Sequence, residues 1–375
     1  MQRRSRVRRC IGLGFAVAAM AAFALDSPAA AQDPAPAPAP PTPPAPQPIP
    51  VREVRVPQSP ELLAKYPNVP SELRRVDSNS PVHWKNGRVY LIHSPGNAVT
   101  VSAGTRASTL QPVQRAKFDT DLAGGRWVEA TYQTSSGRLY GWYHFEPEGL
   151  CPQAKLTAPQ IGAAVSNSNG RTWRDLGIVI TAPADTVVCE TKNEFFAGGA
   201  GDFSVLRQGP YFYFLFTSYA GPLEQQGIGL ARLPVSARGT PVGAVAKWHD
   251  GSFSQPGVGG SITPVFPAGS SWHESAPDDY WGPSVHWNTH LKRYVMLLNR
   301  TQDPEWTQEG IYVSYGTDLD DPFTWSLPLR ILPGGSWYPQ VIGTDIRRGT
   351  DKLAGRSPRL FLYGVSKYRL RFHQP

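Results

Sequence analysis

The sequence predicts an all-β fold, a five-bladed β-propeller with four antiparallel strands per blade. Three observations predict it. The 11 Trp, 15 Tyr, 15 Phe and 36 Gly favour pleated strands joined by tight turns. Hardly any segment has the 3.6-residue hydrophobic period of a helix. One hairpin-like phrase recurs five times along the chain, and such repeats bury their faces only against their neighbours. The five-fold register disfavours a β-sandwich.

The recurring phrase is a short strand, a polar turn and a strand of alternating aromatic residues, which is the pattern of an antiparallel hairpin. Its five copies begin at Asp77, Arg126, Gly201, Trp281 and Trp337. Each of the first four copies continues into a third strand, a polar turn and an outer strand. Val54–Val56 precedes the first copy and is predicted to close the ring by pairing with the last blade.

The first 50 residues are predicted to lie outside the fold. Residues 1–31 have an arginine-rich start, an apolar run and a small-residue end, as in a cleaved secretory signal. Residues 32–50 are mostly Pro and Ala, which favours an extended polyproline II linker. Residues 51–375 then form the propeller domain. The mature protein is therefore predicted to be secreted or periplasmic.

The charge, the apolar stretches and the cysteines of the sequence indicate which partners and which compartment are possible. The formal net charge of +8 falls to +4 when the five Arg and one Asp of residues 1–31 are removed, and this balance predicts no nucleic-acid partner. No stretch after the signal is apolar and long enough for a transmembrane segment. Cys151 and Cys189 remain in the mature chain, where an oxidising compartment permits them to pair; the alternative is two unpaired thiols.

The candidate site follows from the repeat. The first strand of each propeller blade lines the central channel, so the starts of the five units converge. Three carboxylates stand at these starts, Asp77, Glu129 and Asp202. The candidate substrate contacts near them are Trp127, Trp281, Trp337, Tyr338 and His286. Acids beside aromatic platforms suit sugar hydrolysis, in which one acid protonates the leaving oxygen and another activates water.

Each acid also has a purely structural interpretation. Asp77 can cap a turn, Glu129 can pair with a neighbouring arginine, and Asp202 can close the Gly-rich loop before it. His286 and its repeat equivalent His83 are more typical of framework residues than of a metal pair.

The chain resembles the five-bladed glycosidases typified by glycoside hydrolase family 43 and its relatives among arabinanases, xylosidases and fructan hydrolases. The resemblance covers roughly residues 71–375 and rests on the blade pattern, on VDSNSPVHW around Asp77 and on SNSNGRTWRDLG, which is similar to the motif S-x-D-G-x-T-W-x-D-x-G. It implies a first-blade Asp as base or nucleophile, a second Asp that tunes pKa, and a later Glu as general acid.

Asp77 matches the first of these roles. The motif around the family's acid is not recognisable here, so Glu129 is the leading acid candidate and Asp202 the positioning group. The reserve candidates for the acid are Glu224, Glu274 and Glu309. The resemblance implies inversion, and it implies that a channel cation such as calcium can be present, although no cofactor is predicted.

The predicted function is hydrolysis of an O-glycosyl bond in a furanosyl- or pyranosyl-containing poly- or oligosaccharide. The alternative is a non-catalytic propeller that binds carbohydrate or a cell-surface partner. An enzyme gathers its carboxylates in one pocket and raises a pKa, whereas a binding module disperses them or saturates them with arginines.

Overall fold

The computed structural model of the protein describes residues 61–63, 76–94, 96, 98–106, 109–152 and 155–374. Within these ranges the chain forms strands and short 3₁₀ helices, without an α-helix. The strands make five sheets arranged as blades, so the predicted five-bladed β-propeller is confirmed. No helix in the same ranges has the length and apolarity needed to cross a membrane. The predicted signal and linker lie outside the described residues.

Blades I and II each build outwards from the channel by successive hairpins. Blade I consists of β2 (Val82–Lys85), β3 (Arg88–His93), β4 (Thr100–Gly104) and β5 (Gln111–Arg115). Blade II consists of β7 (Gly124–Gln133), β8 (Leu139–Pro147), β9 (Gln160–Ser166) and β10 (Thr172–Ile180), with β6 (Lys117–Phe118) parallel to β10.

Blades III and IV repeat this plan with small additions. Blade III consists of β11 (Ala200–Gln208), β12 (Tyr211–Ser218), β13 (Gly227–Pro234), β14 (Ala246–His249) and β15 (Ser252–Pro256), and β16 (Phe266–Pro267) also pairs with β13. Blade IV consists of β17 (Asp279–Asn288), β18 (Arg293–Thr301), β19 (Gln308–Gly316) and β20 (Leu329–Pro333). The 3₁₀ helices among the described residues are Ala184–Thr186, Leu223–Gln225, Val235–Gly239 and Pro322–Thr324.

Blade V is completed by a strand from the other end of the domain. It contains β21 (Gln340–Ile342), β23 (Arg359–Leu362) and β24 (Val365–Arg371), while β22 (Leu353–Ala354) runs parallel to β17. Its outer strand is β1 (Glu61–Leu63), antiparallel to β24. An N-terminal strand therefore closes the ring, as expected, but at residues 61–63; the predicted closing strand Val54–Val56 lies outside the described residues.

Five of the hydrophobic clusters of the core lie between neighbouring blades, one for each pair of blades. Between blades II and III, Trp142 packs against Phe212 with ring centroids 5.0 Å apart. Between blades V and I, Val89 and Leu91 meet Phe361. Burial of one large apolar side chain contributes about 1.5–3 kcal/mol, and an isolated blade would leave these faces in water. The repeat is therefore stable only as a complete ring.

Three inner strands are interrupted by β-bulges, near the middle of β7 and in the first half of β11 and β17. Glu129 is the extra residue between the paired positions Val128 and Ala130 of β7, and Asp202 is the extra residue of β11. In β17 the interruption falls at Gly282 and Pro283. Bulges re-aim a side chain out of the regular alternation, and both bulged acids are buried together.

Cys151 and Cys189 form a disulfide, which answers the question left open by the sequence. It joins the connection between β8 and β9 to the segment 187–199, which leads into blade III. Backbone hydrogen bonds reinforce this link, since the Ala197 N–H donates to Thr157 O at 2.8 Å. The segment is thereby fixed beside the start of β11.

Candidate active site

The centre of the site is a buried group of two carboxylates and one imidazole. Glu129 from β7, His144 from β8 and Asp202 from β11 each place one polar atom within 4.8 Å of the others. Glu129 and Asp202 are both 1% exposed and His144 is 3% exposed. Ionised carboxylates are costly in such surroundings unless they are paired or protonated, so this group must hold protons.

Asp77 lies at the more open edge of this group. It precedes β2, is only partly buried, and its backbone N–H donates to Ser94 O at 2.9 Å. Burial, together with the charges of Glu146 and Asp202, raises the pKa of Asp77 to about 6. His144 and the nearby Tyr338 hydroxyl oppose part of that shift.

Glu129 is anchored through one oxygen. Its Oε2 accepts the backbone N–H of Phe203 at 2.9 Å, and its Oε1 lies 3.5 Å from His144 Nδ1. Burial is the main reason that the pKa of Glu129 rises to about 7, and the nearby Asp202 adds to it. Oε1 has no hydrogen-bond partner among the described residues, so a proton on this oxygen can be donated elsewhere.

Asp202 is held in a different way. The hydroxyl of Tyr219 donates to Oδ2, and that of Tyr338 donates to Oδ1 at 3.2 Å. Burial raises the pKa of Asp202, while His144 and the two hydroxyls lower it. Asp202 and Tyr338 both have left-handed backbones, at φ 43° and 53°. This region is unfavourable for a bulky residue such as tyrosine, so the surrounding contacts hold Tyr338 in place.

His144 connects the buried acids to the surface. Its Nδ1 accepts the backbone N–H of Asp202 at 3.0 Å, and its Nε2 lies 3.1 Å from Glu146 Oε1. Burial opposes a charge on this ring, whereas the carboxylates of Glu129, Glu146 and Asp202 raise the pKa of His144 well above its usual value. Nδ1 accepts from Asp202 only while the ring is neutral. The Glu146 side chain is 31% exposed, so its hydrogen bond joins the His144 ring to the surface.

Glu129, His144 and Asp202 also offer ligand atoms for a cation, but the group fits calcium poorly. Calcium takes six to eight oxygen ligands. Both Asp202 oxygens, Glu129 Oε2 and His144 Nδ1 are already engaged in hydrogen bonds. This arrangement suits shared protons better than a bound calcium ion.

A shell of packed aromatic rings surrounds the group. Its fully or nearly fully buried members are Phe196, Tyr219, Trp272, Trp281, Trp306 and Tyr338. Trp272 lies 5.0 Å from the Tyr219 ring and Trp281 lies 5.5 Å from the Tyr338 ring, measured between centroids. The shell therefore fixes the two tyrosines that donate to Asp202.

Asn193 joins three parts of this shell. Its Oδ1 accepts the backbone N–H groups of Phe195 and Phe196 at 2.9 and 3.0 Å, and the indole N–H of Trp306 at 3.3 Å. Its Nδ2 donates to Trp272 O at 3.2 Å. One 3%-exposed side chain thus satisfies groups from three separate segments.

We expect Asn193→Ala to lower the free energy of unfolding by about 2–4 kcal/mol, because it leaves buried donors unpaired at about 1–3 kcal/mol each. Urea unfolding monitored by tryptophan fluorescence measures the change. The matched control is Asn167→Ala, which removes one exposed hydrogen bond that Asn167 accepts from Arg138 and is expected to cost less than about 0.5 kcal/mol. Equal effects of the two substitutions would contradict the anchoring role.

The structure brings most of the predicted site residues together but not all. Asp77, Glu129, Asp202, Trp281 and Tyr338 lie in or against the group described above. Trp127 is 4% exposed, donates to Gly96 O at 2.9 Å and packs on the edge of His144. Trp337 is partly exposed and donates to Trp306 O at 3.0 Å.

Two predicted residues lie elsewhere. Glu274 is exposed on the loop before β17 and is not part of the buried group. His286 is 0% exposed, and its ring packs 6.0 Å from Phe372, so it occupies a framework position rather than a surface open to substrate. Burial lowers the pKa of His286 to about 3, which keeps the ring neutral.

Sequence reasoning missed His144, Glu146 and Tyr219. The first two are two residues apart on β8, so their side chains share one face of the strand. The His-x-Glu spacing on β8, the strand next to the inner strand that carries Glu129, was the sequence signal from which these two residues could have been found. Tyr219 follows the second strand of blade III, and no local pattern places it beside Asp202.

The fold and site define a five-bladed propeller with a buried acid group at the starts of its inner strands. No protein-family model and no curated protein sequence matches the chain. Its neighbours among solved structures are five-bladed glycosidases. An endo-arabinase from Bacteroides thetaiotaomicron matches with TM-score 0.53 and 14% identity over 82% of this chain and 97% of that chain.

Two further neighbours have lower scores. An α-L-arabinofuranosidase from Lactobacillus brevis matches with TM-score 0.47 and 12% identity over 81% of this chain and 92% of that chain. An exo-β-1,3-galactanase from Phanerochaete chrysosporium matches with TM-score 0.47 and 12% identity over 84% of this chain, but the match spans only 64% of that longer protein. The predicted resemblance to five-bladed glycosidases is confirmed at the level of the fold.

Proposed function

We propose that the protein is a glycoside hydrolase whose active site is the acid group at the starts of the inner strands. One observation carries the proposal: Asp77, Glu129 and Asp202 lie together, and burial with nearby carboxylates raises the pKa of each. Among the described residues, the only ion-pair partner within 4.0 Å of Glu129 or Asp202 is His144, so no arginine neutralises them. Acids with raised pKa values are what glycoside hydrolysis requires.

Asp77 is the proposed base that activates water. It is the least buried of the three acids, so it is the one that a substrate can approach. Oxygens of Glu129 and Asp202 lie within 4.8 Å of each other, whereas an inverting acid and base stand about 6.5–9.5 Å apart. A pair that acts by inversion would therefore have to combine Asp77 with one of the other two acids.

Glu129 is the proposed proton donor. Its pKa of about 7 leaves it largely protonated in mildly acidic solution, and its Oε1 is free to donate. Asp202 is the proposed positioning group, since two tyrosine hydroxyls stabilise its ionised form.

A non-catalytic carbohydrate-binding propeller is the second candidate, and burial favours it. Glu129 is 1% exposed and Trp281 is 0% exposed, so in this conformation a sugar reaches neither side chain directly. Binding would then use less buried residues such as Asp77 and Trp337, without bond cleavage. Product analysis separates the two functions, because a binding module leaves the glycan intact.

The proposed substrate is a furanosyl- or pyranosyl-containing glycan. Arabinan is the first polymer to test, because the neighbour with TM-score 0.53 is an endo-arabinase; xylan and aryl glycosides follow. We include export in the proposal, since a disulfide persists in oxidising compartments. New reducing ends from any of these substrates would support hydrolysis. Retention of a glycan without cleavage would favour the binding module.

We expect Glu129→Gln to lower kcat on an oligosaccharide by about 10²-fold, because the amide cannot protonate a poor leaving group. On a nitrophenyl glycoside, whose leaving group needs little protonation, the loss should be less than about tenfold. The wild-type rate on the oligosaccharide should also fall above a pH near 7, where Glu129 loses its proton, and the variant should lack this decline. Equal losses on both substrates would argue against Glu129 as the acid.

A further inference from the structure

The other end of the channel holds a cavity of about 500 Å³. It is lined by the later residues of the inner strands that carry the acids, such as Thr131–Gln133 of β7 and Val205–Arg207 of β11. Val205 follows Asp202 by three residues, so at about 3.3 Å per residue the two sites lie roughly 10 Å apart along β11. The volume falls within the range of roughly 300–1,000 Å³ found for small-molecule sites.

The charge of this cavity is opposite to that of the acid group. Among the described residues that line it, four are cationic and none is acidic: Arg207, Arg347, Arg348 and Lys352 are the cations. Lys352 pairs with Asp351 at 3.1 Å, and Arg207 donates to the Tyr132 hydroxyl at 2.7 Å. Arg347 and Arg348 are exposed and have no ion-pair partner among the described residues. An anionic group entering here would gain charge-assisted hydrogen bonds.

The same cavity has the aromatic surface and polar groups that suit a sugar ring. Trp84 and Trp287 are half-buried in its lining, and each is fixed, Trp84 by donating to Gly349 O at 2.8 Å and Trp287 by packing 4.9 Å from the Tyr294 ring. Rigid aromatic faces with a polar edge bind amphipathic ligands at little entropic cost.

His83 adds an unsatisfied polar group. It lines the cavity, is 4% exposed and stacks on Tyr90, yet neither ring nitrogen has a hydrogen-bond partner among the described residues. Burial and the charge of Lys85 lower its pKa to about 4, so the neutral ring offers one donor and one acceptor. A sugar hydroxyl, which both donates and accepts, is the matching group.

We propose that this cavity is a binding site for an acidic saccharide, with its carboxylate on Arg347 and Arg348 and its ring against Trp84 and Trp287. The site is separate from the acid group and does not depend on the proposed hydrolysis. A uronate residue fits this combination because it joins a sugar ring to one carboxylate.

Ligand-observed NMR titration of the mature chain tests the proposal with D-galacturonate and D-galactose, which differ only at C6. We expect galacturonate to bind at least about tenfold more tightly than galactose, since a charge-assisted hydrogen bond is stronger than a neutral one. The double variant Arg347→Gln with Arg348→Gln should lose that preference. Arg115→Gln, an exposed arginine on the outer strand of blade I, should keep it.

Equal binding of the two sugars would overturn the proposal, and so would a preference for galacturonate that survives the double variant. Phosphate binding as tightly as galacturonate would also overturn it, because that would mean an anion site without sugar recognition. The Asp77→Asn variant should retain galacturonate binding whatever becomes of its hydrolysis. A failure of the proposed saccharide site is therefore distinguishable from a failure of the proposed hydrolysis at the acid group.

Discussion

The Asp77→Asn variant is expected to fold like the wild type and to hydrolyse the substrate about 10²–10⁴-fold more slowly. The amide is nearly isosteric with the carboxylate, and the backbone hydrogen bond from Asp77 N–H to Ser94 O does not involve the side chain. The variant loses the carboxylate that accepts a proton from the attacking water. General base catalysis contributes about 10²–10⁴-fold to the rate, which sets the size of the expected loss.

The pH dependence gives a second test of the same residue. A base must be ionised, and burial with the neighbouring carboxylates raises the pKa of Asp77 to about 6. The wild-type kcat/KM should therefore fall as the pH drops below about 6. The residual activity of Asp77→Asn should lack this acidic decline, because the amide does not titrate. If kcat/KM of the variant also fell at the same pH, the decline would belong to a group other than Asp77.

The matched control is Asp250→Asn, on the turn between β14 and β15. Asp250 is an exposed acid with a left-handed backbone, φ 46°, which asparagine tolerates. Its removal should leave kcat/KM within about twofold of the wild type. If Asp77→Asn also stayed within that range, Asp77 would not be the base and the binding module would become the better interpretation of the site.

The repeat made much of this site predictable. Inner strands of a propeller start at one end of the channel, so the positions of Asp77, Glu129 and Asp202 in equivalent repeats were enough to predict that they converge. The alternating aromatic strands likewise predicted the hairpins of all five blades. These features depend on local patterns that recur, which is why sequence alone reveals them.

What sequence could not reveal depends on contacts between distant segments. Tyr219 reaches Asp202 only because β11 bulges at a left-handed Asp202, and nothing in the local sequence signals that backbone state. The burial of Trp281 arises from loops that carry Phe196, Trp272 and Trp306 across it. A residue expected to face substrate is therefore enclosed, because several loops cover it at once.

The disulfide should make one of the largest contributions to stability. Replacing Cys151 and Cys189 together by serine is expected to lower the free energy of unfolding by about 4 kcal/mol, which is the chain-entropy value for the 38-residue separation. Urea unfolding of the double variant and of the wild type, with and without reductant, measures the change. Reduced wild type should unfold at the same midpoint as the variant, and a difference between them would point to an effect of the serines themselves.

Removal of the disulfide should also affect the acid group, because the disulfide holds the segment that carries Asn193 and Phe196. Once the tether is cut, that segment depends on Asn193 and on backbone bonds such as Ala197 N–H to Thr157 O. Hydrogen exchange in residues 187–199 should therefore accelerate by more than exchange in the central strands of blade IV, since local opening precedes global unfolding. Uniform acceleration across the domain would instead mean that the disulfide acts only on the unfolded chain and leaves the site unaffected.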